Sequence, residues 1–277
     1  MMQILHASSP SEVSAMGTPA LRSHFLLEQL FEPDRVRLTY SHYDRMIVGG
    51  VMPVDQIQRL DAPPALRADH FLERREMGII NIGGPGRITT ESGTYNLSKL
   101  DCLYLGRGTK EVHFQSHDPA DPALFYLLSA PAHRTCPACL MPSAEANPNR
   151  LGTQSTANAR TIFKYIHPDG IESCQLVMGL TVLEPGSVWN TMPPHTHDRR
   201  MEVYCYFDVP DGQRVLHLMG DPAETRHLWI GNLQGAISPP WSIHAGCGTM
   251  AYSFIWGMAG ENQSFADMDQ IAVDALQ

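Results

Sequence analysis

The sequence predicts a mainly β protein, built as two antiparallel β-sandwich or barrel halves with few short helices. Short apolar runs of strand length follow one another with Gly, Pro, Asp or Ser between them. RVRLTYSHY, DRMIVGGVMPV, MGIINIGG, GRITTES, DCLYLG, EVHFQS and ALFYLLS come before residue 135, and TIFKYIH, CQLVMGLTVL, MEVYCYFDV, QRVLHLMG and AYSFIWGM come after residue 158. No helix-length segment separates consecutive runs, as parallel βαβ units would require. The 22 Gly and 21 Pro in 277 residues supply the turns that such a fold needs.

In chain order, ALRSHFLLEQLF reads as a helix, with Thr18 as its cap, Pro19 in its first turn, and Leu21, Phe25 and Leu30 near one face. It precedes an N-terminal barrel, the whole spanning residues 1–135. Residues 136–158 are polar, small and proline-bearing and read as a linker or extended loop. Residues 159–277 form the C-terminal barrel, closed by an amphipathic helix in ADMDQIAVDAL through Met268, Ile271 and Leu276. The two halves have similar length and texture, which suggests a duplicated architecture.

The net charge of -9 and the absence of any Lys/Arg run argue against nucleic-acid binding, since phosphates demand a clustered positive surface. The N-terminal segment lacks a signal-peptide pattern, and no stretch is long and apolar enough to span a bilayer, so a cytoplasmic protein without membrane contact is expected. Six scattered cysteines then read as reduced thiols.

The chemistry concentrates in PPHTHDRRMEVYCYF and SPPWSIHAGCGT. His195 and His197 are two apart, so a strand would point both imidazoles the same way. The Asp198–Arg200 turn would bring Glu202 opposite them in a hairpin, and His244 arrives from another strand. Three imidazoles and one carboxylate suit a divalent ion with coordination positions left open, whether zinc, manganese, iron or nickel.

HTHDRRME followed by PPWSIH resembles the two metal motifs of the cupin superfamily, His-x-His-x(4)-Glu and a later histidine. More narrowly, SCQLVMGLTVLEPGSVWNTMPPHTHDRRMEVYCYFDV, HLMGDPAETRH, SPPWSIHAGCGT and YSFIWGMAGEN are similar to the 4-deoxy-L-threo-5-hexosulose-uronate ketol-isomerase family. REMGIINIGG, LYLGRG and PALFYLLSAPAH resemble that family's N-terminal half, so the likeness spans nearly the whole chain. The resemblance implies a bicupin with zinc in the C-terminal barrel only, held by His195, His197, Glu202 and His244. It also implies a homo-oligomer, a hexamer in relatives, that converts 5-dehydro-4-deoxy-D-glucuronate to 3-deoxy-D-glycero-2,5-hexodiulosonate in the breakdown of pectin and related uronates. The alternatives from other classes are a cupin dioxygenase with a redox-active metal and a non-catalytic sugar-binding cupin.

Such an isomerisation moves a carbonyl to the neighbouring hydroxyl-bearing carbon, by proton or hydride transfer. A proton route needs a base, for which Tyr206, a cavity histidine or a water activated by the metal is available. Tyr204 and Tyr206 share the parity of Glu202 and would face the same cavity, as substrate donors or as core. Arg199 and Arg200 are candidates for the substrate carboxylate, with Arg226 behind them. His217 and His227 read as packed or barrel-lining, and Lys164, His167 and Gln175 as candidates for the cavity wall. Cys136 and Cys139, with His133 nearby, lack the second pair that a closed zinc site wants and depart locally from the family pattern. His113 and His117 are four apart, with no acidic partner in pattern, so the N-terminal half is expected to hold no metal.

Overall fold

A computed structural model describes residues 2–264 and 266–277. The chain divides into two compact units, residues 1–5, 29–147 and 164–178 in one and residues 6–28, 148–163 and 179–277 in the other. Each is built on a pair of sheets, the bicupin plan, and the second unit adds a two-stranded sheet.

In the first unit a seven-stranded sheet runs in the order Gln3–Leu5, Val36–Ser41, Ile47–Val51, Phe125–Pro131, Arg75–Asn81, Cys102–Leu105 and Cys139–Met141. A four-stranded sheet, Gln58–Arg59, Val112–Ser116, Gly86–Thr90 and Gly93–Leu97, shares its core: Met77, Ile79, Leu103 and Leu127 pack in one cluster with Ile88, Val112 and Phe114. The second unit repeats this plan. Its seven strands are Asn149–Leu151, Arg160–Ile166, Val177–Leu183, Ser253–Gly260, Arg200–Phe207, Gln234–Ser238 and Leu26–Leu27. Its four-stranded sheet is Trp189–Asn190, Ala245–Gly248, Val215–Asp221 and Glu224–Ile230.

Several boundaries differ from the sequence reading. The first helix is Thr18–Phe25 with Gly17 as N-cap, because the Thr18–Pro19 pair already lies inside its first turn. Leu21 and Phe25 are buried as expected, but the chain leaves the helix at Leu26 and joins the edge of the second unit's sheet, where Leu26 and Leu27 pair with Ala236 and Gly235. A shorter helix, Pro10–Ser14, precedes it. Its capping box, Ser9 with Glu12, is a sequence signal that the apolar periodicity does not carry. Residues 136–158 are not an unstructured linker: they contain the strands Cys139–Met141 and Asn149–Leu151, one at an edge of each large sheet. The C-terminal segment forms a two-residue strand, Asp269–Gln270, and a short 3-10 turn, Val273–Ala275, instead of an amphipathic helix. The backbone of Asp269 and Gln270 is committed to Thr196 and His195, which a helix would forgo.

Glu76 shows how the first unit secures a turn without catalytic chemistry. Its fully buried carboxylate accepts from Tyr104 Oη at 2.7 Å and from the backbone N–H groups of Cys174, Gln175 and Leu176 at 2.6–2.8 Å. Replacing Glu76 by Ala strips these buried donors of their acceptor and is expected to lower stability by about 3–5 kcal/mol, read as a shifted urea midpoint at unchanged slope.

Candidate metal centre and active-site cavity

The four ligand-type side chains come from four places. His195 lies in the short strand His195–Thr196, His197 in the turn that follows, Glu202 in the centre of the Arg200–Phe207 strand, and His244 immediately before the Ala245–Gly248 strand. The strand carrying His195 does not form a hairpin with the strand carrying Glu202. It pairs with Asp269–Gln270, while Arg200–Phe207 pairs on its two edges with Ser253–Gly260 and Gln234–Ser238. A central strand has no free edge left for a hairpin partner. The tight turn closed by Arg200 N–H on His197 O at 3.0 Å still delivers His197 onto the carboxylate.

One ligand atom from each residue lies within 4.8 Å of the others. Glu202 Oε2 is 3.0 Å from His197 Nε2 and 2.8 Å from His244 Nε2, and His244 Nε2 is 3.0 Å from His195 Nε2. His197, Glu202 and His244 are buried and His195 is half-buried. The far ring nitrogens set the tautomers. His197 Nδ1 faces the carbonyl of Arg200 at 2.8 Å, and a carbonyl only accepts, so Nδ1 carries the hydrogen and Nε2 presents a lone pair to Glu202. His244 Nδ1 lies 3.2 Å from Ser238 Oγ and 3.4 Å from the carbonyl of Ser242, which orients its Nε2 the same way.

Acceptors therefore converge on acceptors. That arrangement needs positive charge between them, and three imidazole nitrogens with one carboxylate oxygen are the donor set of a borderline divalent ion. A proton is the alternative positive charge, and the titration of the group reflects it. Burial pushes the Glu202 carboxyl up, but the charges and hydrogen bonds of His244 and His197 outweigh it and hold it below the ordinary carboxylate range. Burial acts against the His197 imidazolium, yet the Glu202 hydrogen bond and charge win and raise it. Burial and the neighbouring His244 drive His195 down to about 3.

The group forms one side of a cavity of about 300 Å³. Its floor is one face of the large sheet. Glu202 and Tyr204 pair across the strands with Met258 and Trp256, and Phe254 follows at the same parity. Gly179 clears room for the indole, since a Cβ there would stand 2.4 Å from Trp256 Cζ2. Trp256 Nε1 is fixed by Thr181 Oγ1 at 3.2 Å. Thr191, on the cavity wall, is held at φ 49°, a left-handed conformation that costs a β-branched residue on the order of 1–3 kcal/mol. Its hydroxyl lies 2.9 Å from Tyr204 Oη, so the strained residue positions the phenol.

The matching family model, described as the KduI/IolB family, covers residues 26–275. The chain belongs to the KduI/IolB family. Within this family, the sequence is 55% identical over the full length of both chains to a 4-deoxy-L-threo-5-hexosulose-uronate ketol-isomerase of Shouchella clausii. It is 52% identical, again over both full lengths, to a protein of the same name from Yersinia pestis. Among solved structures, an IolB-like protein from Salmonella typhimurium superposes with a TM-score of 0.66 at 15% identity, covering 82% of this chain and 86% of that one. Oxalate decarboxylase from Lactobacillus farciminis gives a TM-score of 0.56 at 9% identity, covering 83% and 79%. Both likenesses concern the fold alone.

The remaining residues singled out in this KduI/IolB member separate cleanly. Tyr204 lines the cavity. Tyr206 does not line it: its hydroxyl lies 2.8 Å from His217 Nδ1 in the fully buried interior, between the two sheets. Arg199 is held by Asp267 and Asp269 at 2.6 and 2.8 Å, and with Asn262 it draws the Asp267 carboxyl down to about 2. Arg200 lines the cavity but spends its NH groups on the carbonyls of Ser264 and Asp267. Arg226 pairs with Glu224 and Ser14 O, and His227 lies at the exposed surface beside Trp229. Lys164, His167 and Gln175 belong to the first unit and line no part of this cavity. Cys136 is buried, Cys139 is half-buried, and His133 bonds instead with Cys174, Nδ1 to Sγ at 2.9 Å. Arg160, Thr191, Trp256 and Gln270 line the cavity and were not singled out from sequence. For Trp256 a signal exists: YSFIWGM places it two residues from Phe254 and Met258 on a single face.

Tyr206→Phe is expected to leave His217 without its partner and to cost about 1–2 kcal/mol of stability, measured by denaturant unfolding, while kcat/KM falls less than about tenfold. A phenol acting directly on substrate would lose far more.

Proposed function

We propose that this chain catalyses the ketol isomerisation for which its relatives are named, using a divalent metal held by His195, His197, Glu202 and His244. The observation that carries the reading is Glu202 Oε2 within 3.0 Å of two imidazole Nε2 atoms, at the wall of a cavity sized for a small acid. A metal bound there supplies Lewis-acid polarisation of the adjacent carbonyl and hydroxyl oxygens of the substrate. We take zinc as the ion, with manganese, iron or nickel suiting the same donors.

The chain's own residues do the rest. The Arg200 carbonyl and the Ser238–Ser242 pair hold His197 and His244 by Nδ1, so both rings meet their task already oriented. Tyr204, kept protonated by burial and by the charge of Glu202, is a hydrogen-bond donor aimed into the cavity, with Thr191 fixing its hydroxyl. The apolar wall of Phe254, Trp256 and Met258 excludes water from the carbon that loses its hydrogen. In the balanced reaction a proton leaves the hydroxyl-bearing carbon and one is delivered to the neighbouring carbonyl carbon, with the oxygens exchanging their protonation. The reading carries with it a cytoplasmic homo-oligomer, which we take to be a hexamer, working on open-chain keto-uronates from pectin.

Stripping the metal with a chelator, or replacing Glu202 by Gln or His244 by Ala, is expected to lower kcat/KM by at least about a hundredfold. Product formed in heavy water should carry deuterium at the new carbon centre, followed by NMR. Full activity in rigorously metal-free protein would end the metal-dependent reading. Metal affinity should also weaken on acidification, by about tenfold per pH unit below the raised His197 value, because protons compete for the same Nε2 lone pairs. A metal titration at pH 8 and pH 6 reads this directly.

A further inference from the structure

The first unit has a pocket of its own. It measures about 120 Å³ and is lined by Arg74 and Arg75 with Leu66, Ala68, Phe71 and Pro131. Its place in the fold repeats that of the active-site cavity. Arg75 opens its strand opposite Pro131 as Arg200 opens its strand opposite Gly260, and Arg200 lines the cavity beside the His/Glu group. In both units the segment before that strand supplies part of the wall. It carries His195 and His197 in the second unit, and Leu66, Ala68 and Phe71 in the first.

Arg75 is only 6% exposed, and among the described residues no carboxylate pairs with it. Its Nε donates to Ser129 Oγ at 3.0 Å and its Nη2 to the carbonyls of Ser129 and Arg45 at 2.6 Å, all neutral acceptors. Nη1 makes no hydrogen bond among the described residues, and it does not belong to the polar atoms sealed from solvent. Glu76, next in the strand, points the other way and is saturated by Tyr104 and three backbone N–H groups. Burial lowers the Arg75 guanidinium to about 10, which leaves it charged at neutral pH. Arg74 is held beside it through Nη2 on the carbonyls of Leu66 and Arg67. Glu73 Oε1 stands 3.6 Å from Arg74 Nε, too far for a hydrogen bond, and its other oxygen takes the N–H of Asp69. Arg45 and Arg67, whose carbonyls fix the two guanidiniums, both hold left-handed backbone, at φ 53° and 48°. Side-chain-bearing residues keep that conformation where the surroundings over-determine it.

We propose that this first-unit pocket binds a small carboxylate, its head on Arg75 Nη1 and Arg74 and its short hydrocarbon part against Leu66, Phe71 and Pro131. A buried guanidinium without a countercharge is costly, and an anion entering the pocket supplies one. Two adjacent guanidiniums present several N–H donors to a planar carboxylate. The remaining walls are apolar, so they suit a carbon chain and leave the further oxygens of a tetrahedral anion without donors. At about 120 Å³, against about 300 Å³ for the active-site cavity, the pocket suits an acid shorter than a six-carbon uronate.

The probe is propionate, with propionamide as its uncharged counterpart and inorganic phosphate as a tetrahedral anion. Each is titrated calorimetrically at low ionic strength into the full-length wild type, Arg74→Gln, Ala68→Phe and Glu202→Gln. Wild type should bind propionate at least about tenfold more tightly than propionamide, the factor of one charge-assisted contact, and more tightly than phosphate. Arg74→Gln should weaken propionate by about tenfold. Ala68→Phe fills the pocket while both guanidiniums stay, and should abolish the binding. Glu202→Gln dismantles the cation site of the second unit and should leave the first-unit isotherm unchanged. Equal affinity for acid and amide, tighter binding of phosphate, or propionate affinity that survives Ala68→Phe overturns the assignment. Binding lost in Glu202→Gln but kept in Arg74→Gln also overturns it, because the propionate then sits in the active-site cavity. If the first-unit variants do not fold, wild-type crystals soaked in propionate decide. A carboxylate within hydrogen-bond distance of Arg75 Nη1 supports the site, and a pocket without it overturns it.

Discussion

A buried carboxylate surrounded by imidazole lone pairs governs the second unit. Glu202 is almost wholly withdrawn from water, which opposes its charge, and the nitrogens nearest it are turned so that they accept. Left to themselves such groups would repel or take up protons, and the raised His197 is the sign of that tendency. A divalent cation would resolve the conflict for all four at once. The rest of the site follows from holding that conflict in place: the Arg200 carbonyl on His197, Ser238 and Ser242 on His244, and a C-terminal strand laid over His195.

The duplicated fold sets different side chains at matching positions of the two units. Arg75–Asn81 and Arg200–Phe207 occupy the same place in their sheets, and each begins with an arginine paired to the last residue of its neighbour, Pro131 or Gly260. Counting from that arginine, Met77 stands where Glu202 stands and Leu72 where His197 stands. Met77 and Leu72 are fully buried in the hydrophobic core. What the second unit spends on a charged centre, the first spends on packing, and its buried carboxylate, Glu76, is saturated by hydrogen-bond donors.

Much of this was legible in the sequence, for identifiable reasons. Strands read well because alternating and continuous apolar runs bounded by Gly and Pro are local signals, and the convergence of His195, His197, Glu202 and His244 was legible because such side chains are rare and tightly spaced. The pairing of His195 with Gln270 was not legible, since two-residue strands have no periodicity. The same shortness made the C-terminal segment look helical. Arg199 and Arg200 drew attention as cations beside the ligands, yet partners some 64 to 70 residues away decide their fate: Asp267 and Asp269 for one, the carbonyls of Ser264 and Asp267 for the other. Arg160 escaped notice because only the folded cavity shows that it lines the site.

The cavity thus sets a cation-demanding cluster beside an apolar floor of Phe254, Trp256 and Met258. Anomalous diffraction from crystals of the metal-loaded protein tests the central claim most directly. The account predicts one strong peak per chain, within bonding distance of His195 Nε2, His197 Nε2, His244 Nε2 and a Glu202 oxygen. A metal bound elsewhere with these four side chains uncoordinated, in protein that is fully active, would contradict it.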